Sequence, residues 1–325
     1  MSESQNTEIQ ESRRPRPQDV TYDLDRALSA VVSVRAEIPD DAFTAGILGT
    51  ERAGNGVVID DGGLVLTIGY LITEAESVWL MGTDGQATQG HVVAYDQQTG
   101  FGLVQALEDL RLPSLPIGSA AAVDVGEPVV FAGFGGRPYA TRASVVAKRE
   151  FAGYWEYVLD EALFTAPAHP NWGGGALIDG QGRLAGIGSL FVQLPQAGKG
   201  AIEGNMVVPI DLLAPIRDEL LRFGRTTTPP RPWLGIYVAD AEEQFVIVGI
   251  AEDGPADKAG VEVGDRIVEV DGRPVDSLAN LFRSVWSMGA AGVEVPLTLW
   301  REGEVIMLGV RSIDRNLLLK RPRLH

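Results

Sequence analysis

Along the first two thirds of the chain, apolar residues come in short alternating bursts separated by polar pairs that contain glycine. Alternation with a period of two, bounded by turn residues, predicts strands rather than helices. The pattern places strands at 56–59, 64–67, 78–81, 91–95 and 102–105, with Asp61-Gly62 and Asp84-Gly85 as turns. A second set falls at 128–133, 143–149, 157–159, 176–178, 183–187 and 205–209. Short strands at this spacing, with no long helical stretch between them, predict antiparallel barrels. The spacing then changes twice. Residues 23–34 start helical and turn β-rich. Residues 211–223, DLLAPIRDELLRF, put Leu213, Ile216, Leu220 and Phe223 on one helical face, with Asp211 as N-cap and Gly224 as C-cap. Adjacent prolines in TTTPPRP, 226–232, make a stiff linker.

Composition narrows the functional classes. A chain of 325 residues is long enough for roughly two domains. The 27 Lys+Arg against 44 Asp+Glu leave a net charge of −17, which disfavours nucleic acid and anionic membrane as partners and reads most simply as a solvated acidic surface. With 0 cysteines there is no disulfide or thiolate chemistry. The 3 histidines, His91, His169 and His325, form no short-spaced ligand pair, so neither metal nor cofactor is expected. No apolar run approaches the roughly 18 residues of a membrane span; the longest candidate, 64–72, is interrupted by Thr67, Gly69 and Tyr70. Residues 1–20 are rich in Glu, Gln, Ser, Arg and Pro, which predicts disorder, and they lack an apolar targeting core. That reading points to the cytoplasm.

The chain is organised around 168–188, AHPNWGGGALIDGQGRLAGIG, where Gly173, Gly174 and Gly175 run into the strand Ala176, Leu177, Ile178 and a hairpin. This stretch resembles the nucleophile loop of HtrA/Deg-type trypsin-like serine proteases, N-P-G-N-S-G-G-P-L, with Gly173 at the serine. Two further blocks are similar to the same family. GNGVVIDDGGLVLTIGYLI, 54–72, matches the strand pair that leads to the general-base histidine and has Tyr70 there, while DQQTGFGLVQ, 96–105, has Gly100 at the aspartate. The resemblance implies a mainly β fold, a two-barrel chymotrypsin-like domain, with the triad positions held by Tyr70, Gly100 and Gly173. It also puts a vestigial oxyanion hole on the N–H groups of Asn171, which replaces a glycine, and Gly173.

Acyl transfer needs an oxygen nucleophile, an imidazole that takes and returns its proton, and a carboxylate that orients the imidazole. Glycine supplies no group for the first or third role, and a phenol with a pKa of roughly 10 is a poor proton acceptor near neutrality. His169 reads as a loop histidine rather than a substitute base. Trp172 either fills the vacated site or neighbouring pocket, or is a partly buried loop aromatic. Tyr70 is expected to pack in the histidine's place with its hydroxyl seeking one partner, and Ser189 is a strand hydroxyl. Members of the family often trimerise through N-terminal aromatics. Tyr22 and Phe43 are available for that, ordinary packing being the other reading.

The last third resembles a PDZ domain of α+β type: WLGIYV, then GPADKAGVEVGDRIVEVDGRPV at 254–275, an apolar-spaced helix, and the strand pair VPLTLW and VIMLGV. PDZ domains take an extended C-terminus as an added strand and hold its carboxylate on backbone N–H groups. The resemblance implies that Trp233, Leu234, Gly235 and Ile236 form that loop and strand. Of the helix residues Leu278, Leu281, Phe282 and Val285, it offers Leu281 and Val285 for the groove, an apolar stripe at this spacing being equally consistent with core. The basic tail residues Lys320, Arg321 and Arg323 read as solvated.

The domains expected are therefore a disordered 1–20, a trypsin-like domain 21–225, a linker 226–232, a PDZ domain 233–313 and a tail 314–325. The function expected is a catalytically inactive HtrA homologue that binds peptides or protein C-termini, in a homo-oligomer such as a trimer. The alternatives are a serine endopeptidase with a relocated nucleophile, or a non-catalytic subunit assembled with an active HtrA paralogue.

Overall fold

The computed structural model describes residues 7–196, 200–241 and 244–320. The chain divides into two units, one of residues 1–149, 161–226 and 319–325, the other of residues 150–160 and 227–318.

In the first unit, β1 (Val31–Glu37), β2 (Glu51–Val58), β3 (Leu64–Ile68), β4 (Ser77–Met81), β5 (Ala87–Tyr95) and β6 (Phe101–Ala106) close a barrel in the order β1-β2-β3-β6-β5-β4. β3 is LVLTI, buried along its whole length and paired in register with β6, Leu66 opposite Leu103. A second closed barrel joins β7 (Pro128–Ala132), β8 (Ala140–Gly153), β9 (Tyr157–Ala166), β10 (Ala176–Ile178), β11 (Leu184–Gln196) and β12 (Gly200–Pro209) in the order β10-β11-β12-β9-β8-β7. Phe131, Leu163, Leu177 and Val207 lie in the core of this barrel. Helix α1 (Leu24–Ser29) is capped by the Asp23 carboxylate, which accepts from the Arg26 N–H, and α2 (Ala45–Leu48) is a single turn.

Two expectations are corrected here. The helix read at 211–223 is shorter: a 3-10 turn, Ile210–Leu212, precedes α3 (Arg217–Phe223). Asp211 does not cap it, because its carboxylate accepts instead from Ser119 Oγ and the N–H of Ala120. Gly224 closes the helix as expected, in the left-handed conformation at φ 69°. Residues 7–20, read as disordered, form 3-10 turns at Glu11–Arg13 and Pro17–Asp19. Their anchor is Ile9, which is buried and donates its N–H to Pro138 O.

In the second unit, β13 (Ile236–Ala241), β14 (Gln244–Ile250), β15 (Arg266–Val270), β17 (Glu294–Arg301) and β18 (Glu304–Arg311) follow one another across a sheet, and β16 (Arg273–Pro274) pairs with β15. Asp271 and Gly272, at φ 52° and 69°, make the tight turn between β15 and β16. Helix α4 (Pro255–Lys258) starts with proline, whose missing N–H costs nothing at that position. Helix α5 (Leu278–Ser287) is capped by Ser277, whose hydroxyl accepts from the Asn280 N–H at 3.0 Å. Its Leu281, Phe282 and Val285 are buried with Ile236, Val238 and Leu297. Asp265 is almost wholly buried and is gripped by a two-pronged bond from Arg301, Nε to Oδ1 at 2.6 Å and Nη2 to Oδ2 at 2.7 Å. Although burial alone would raise it, the Arg301 bonds hold the Asp265 carboxyl below the usual carboxylate range.

The second unit is not a continuous stretch. Residues 150–160, the outer ends of β8 and β9 and the turn between them, belong to it.

Candidate functional site

The glycine loop of the first unit is built on close backbone approach. Gly174 has φ +75°, and a Cβ there would lie 1.9 Å from Asn55 O and 2.6 Å from Thr67 Oγ1. Asn55, on β2, is what holds the loop. Its N–H donates to Gly173 O at 2.8 Å, its Nδ2 donates to the carbonyls of Asn171 and Gly173, and its Oδ1 accepts from the Phe134 N–H. Sequence reasoning passed over Asn55, although it lies inside the Gly54-Asn55-Gly56 motif.

Tyr70 stands in the 3-10 turn Gly69–Leu71 that follows β3. The turn is tied to residue 100 by the Gly69 N–H, which donates to Gly100 O at 2.7 Å. The Tyr70 hydroxyl donates to Ser189 O at 2.8 Å and lies 2.8 Å from where a Cβ on Gly173 would be. Residue 100 thus backs the turn that carries Tyr70, and the phenol oxygen lies against the place where a side chain at 173 would begin. Burial pushes the Tyr70 phenol above its ordinary range, with the Trp172 side chain acting the other way. The phenol is therefore a neutral donor at any ordinary pH.

The remaining loop residues are engaged elsewhere. The Asn171 N–H, one half of the pair expected to form an oxyanion hole, donates to His169 Nδ1 at 3.0 Å, so the two N–H groups do not form an open pair. His169 is fully buried, stacks on Phe131 with 5.1 Å between centroids, and bonds Tyr139 O through Nε2 at 2.9 Å. With Nδ1 accepting and Nε2 donating, the ring is a neutral structural member. Trp172 packs against the second-barrel core and lies 5.6 Å from the Phe191 ring. Ser189 is buried, and its carbonyl serves Tyr70. Tyr22 lies against the Gly182 turn, and the Phe43 N–H donates to Glu74. Lys320 donates its N–H to Glu74 and its ammonium to Asp41; Arg321, Arg323 and His325 lie outside the described residues.

Burial lowers the His169 pKa to about 4, the bonds to Tyr139 and Asn171 working the other way. An unfolded chain titrates this histidine near 6.5, so between about 6.5 and 4 it binds a proton that the folded unit refuses. Stability is complete above that window and falls as pH drops through it, by on the order of 3 kcal/mol for a shift of this size. His169→Gln, which keeps a donor and an acceptor, is expected to be less stable at pH 7 but to have a shallower decline from pH 6.5 to 4 in urea-unfolding titrations. An identical decline in both proteins would show that His169 does not carry it.

In the second unit, three successive N–H groups converge on one carboxylate. Leu234 donates to Glu156 Oε2 at 3.1 Å, Gly235 to Oε1 at 2.8 Å and Ile236 to Oε1 at 3.2 Å, with Gly235 at φ +78° turning its N–H inward. Trp233 is not part of this cradle, because its N–H pairs with Ile313 O. Leu281 and Val285 are buried in the same apolar cluster as Leu234 and Ile236, and Val158 belongs to that cluster as well. Burial raises the Glu156 carboxyl to about 7, the three N–H bonds and the Arg315 charge pulling the other way. Nothing in the local sequence YWEYV marks Glu156, which meets its partners across 78 to 80 residues.

Among the described residues no group of three or more His, Asp or Glu is arranged to hold a metal ion, and no helix is long and apolar enough to cross a membrane.

The chain matches the family model for a trypsin-like peptidase domain over residues 54–187 and that for a PDZ domain over residues 232–311. It is 28% identical over 272 residues to a probable periplasmic serine endoprotease DegP-like of Pseudomonas putida, covering 78% of this chain and 54% of that protein. It is 26% identical over 278 residues to the serine endoprotease DegS of Escherichia coli, covering 79% and 75%. It spans about half the length of the DegP-like relatives it matches. The fold is similar to that of a serine endoprotease from Yersinia pestis (TM-score 0.51, 24% identity, 91% of this chain and 99% of that one) and of the HtrA-type protease AlgW with decapeptide (TM-score 0.53, 20% identity, 92% and 98%). The cytoplasmic expectation is corrected by the DegP-like relatives, which are named as periplasmic. The polar composition of residues 1–20 describes those residues and does not decide a compartment. The chain therefore carries a trypsin-like peptidase domain and a PDZ domain, and is homologous to the HtrA proteases DegP and DegS.

Proposed function

We propose that this protein is an HtrA homologue that binds without cleaving, taking peptides or protein C-termini in the groove between β13 and α5 of its PDZ domain. The observation that carries the first half is the Tyr70 hydroxyl standing 2.8 Å from the place of a Cβ on Gly173. A nucleophile at 173 would meet the Tyr70 phenol, a neutral donor, where an imidazole would have to accept its proton, and Gly100 as the third member supplies no carboxylate to orient such an imidazole. The Asn171 N–H, already bonded to His169, is not free to receive an oxyanion. The second half is supported by the cradle of Leu234, Gly235 and Ile236 N–H groups, which suits a carboxylate, and by the buried Leu281 and Val285 beneath it. A homo-oligomer, or a mixed one with an active relative, is the assembly proposed for such a binder.

The test is fluorophosphonate labelling and casein cleavage by the full chain and by Gly173→Ser. Neither is expected to label, and cleavage by both should stay at background, about 10⁶-fold below an intact triad. The names of the relatives favour a second reading, a serine endoprotease. Stoichiometric labelling of the wild type, abolished by replacing one serine, would establish that reading and overturn the first.

A further inference from the structure

We propose that the hairpin tip at residues 154–156 is a built-in ligand of the PDZ groove, occupying the place of an incoming C-terminus until a partner displaces it. This rests on reading the groove as a C-terminus site.

Strand addition makes two kinds of backbone contact. Successive N–H groups of the loop hold the terminal carboxylate, and the edge strand donates an N–H to a carbonyl of the incoming strand. The tip supplies both. The Glu156 carboxylate accepts from Leu234, Gly235 and Ile236, and the Tyr154 carbonyl accepts from the Val238 N–H of β13 at 2.9 Å. The match continues beyond the backbone. Val158 adds an apolar side chain to the cluster that contains Leu281 and Val285, and the Tyr154 ring lies 6.1 Å from that of Tyr237 on β13. The opposite wall of the groove is secured as well. Arg283 on α5 reaches Glu150 and Asp160, one on each side of the tip, both at 2.5 Å. The tip is therefore held to β13 by the backbone and to α5 by charge, the two elements an added strand would have to lie between.

The cradle is also specific in what it accepts. Three N–H donors around one group suit a carboxyl group, whose two oxygens can share them, better than a single-oxygen acceptor, and Glu156 is the residue that brings one. Its φ of 60° is in the left-handed region that favours glycine, so the tip holds a strained conformation in making this contact.

A tethered competitor acts at an effective concentration on the order of 1 mM, and the apparent affinity of an outside ligand falls in proportion to the fraction of open groove. A groove occupied 99% of the time weakens an outside peptide about 100-fold.

The experiment compares the full chain with Glu156→Gly, which also relieves the positive φ, and with Glu156→Gln, which keeps the shape without the charge. The probe is a fluorescein-labelled pool of peptides with random seven-residue C-termini, presented with a free carboxylate and, separately, amidated. Amide exchange at Leu234, Gly235 and Ile236 is followed in parallel. The expected result is slow exchange and weak binding in the wild type. Glu156→Gly should show faster exchange and at least 10-fold tighter binding of the free-carboxylate pool alone, Glu156→Gln should fall between, and Gly235→Trp added to Glu156→Gly should abolish binding. Unchanged exchange in Glu156→Gly, or equal affinity in wild type and variant, would overturn the built-in ligand while leaving the groove reading in place. Freed amides with no binding by any form would overturn the groove reading and this inference with it.

Discussion

Gly174→Ala is expected to abolish the fold of the first unit. The new methyl would meet Asn55 O at 1.9 Å and Thr67 Oγ1 at 2.6 Å, on a backbone at φ +75°. The left-handed conformation alone costs a non-glycine residue about 1–2 kcal/mol. The clash is the larger effect, because Asn55 O is backbone within β2 and cannot rotate away. Its relief must separate the loop from β2 and break the bonds between Asn55 and the carbonyls of Asn171 and Gly173. A combined loss above about 4 kcal/mol is a large part of the 5–15 kcal/mol that holds a typical domain together. Soluble yield and the thermal transition of the first unit should therefore collapse. Gly46→Ala is the control: it lies in α2 with nothing within 4 Å of its Cβ, and it should leave the transition within a degree or two. A Gly174→Ala protein melting within a few degrees of the wild type would show that the loop is not clamped in this way.

Arg301→Ala is the second change with a large expected effect, this time in the second unit. It strips a bidentate partner from a carboxylate that is only 1% exposed. Removing one member of a buried pair leaves the other charged and unpaired, at a cost of about 3–5 kcal/mol. Arg301 is itself 21% exposed, so water screens part of the interaction and the low end, about 3 kcal/mol, is expected. Arg301 also donates to Gly260 O, so the turn after α4 loses support at the same time. Arg301→Lys should recover little, because an ammonium cannot span both carboxylate oxygens and that carbonyl. The depressed folded pKa of Asp265 sets the sign with pH: the contribution is present above the ordinary aspartate range and disappears as pH falls through the lower folded value. Chemical unfolding of the second unit at pH 7 and pH 3 checks both points. A loss under 1 kcal/mol at pH 7 would count against the pair.

What the sequence made legible was whatever local pattern controls. Alternating apolar positions and Asp-Gly turns placed the strands of both barrels, because burial of one face and turn geometry act within a few residues, while the PDZ sheet was read from a family resemblance. The three glycines of the 168–188 stretch were visible for the same reason. What stayed hidden depends on contacts between distant parts of the chain. Asp211 looked like a helix cap until the N–H groups near residue 120 claimed its carboxylate. Residues 7–20 have a composition that cannot form its own core, yet the buried Ile9, its backbone bond to Pro138 and the Arg142 bond to Ser12 O tie them down. Asn171 and Gly173 looked like an anion site, which His169 closes by accepting the Asn171 N–H. Glu156 lay in a run of aromatics with nothing to separate it from any surface glutamate, because the groups that define it come 78 to 80 residues later.

The inclusion of residues 150–160 in the second unit bears on how this protein is cut for study. A fragment excised at the borders that the motifs mark, 233–313, leaves Glu156, Tyr154 and Val158 behind and presents bare donors and an uncovered apolar floor to solvent. On the built-in-ligand proposal, whatever such a fragment captures would report the appetite of an emptied receptor, and screening with it would overstate what the intact polypeptide can hold.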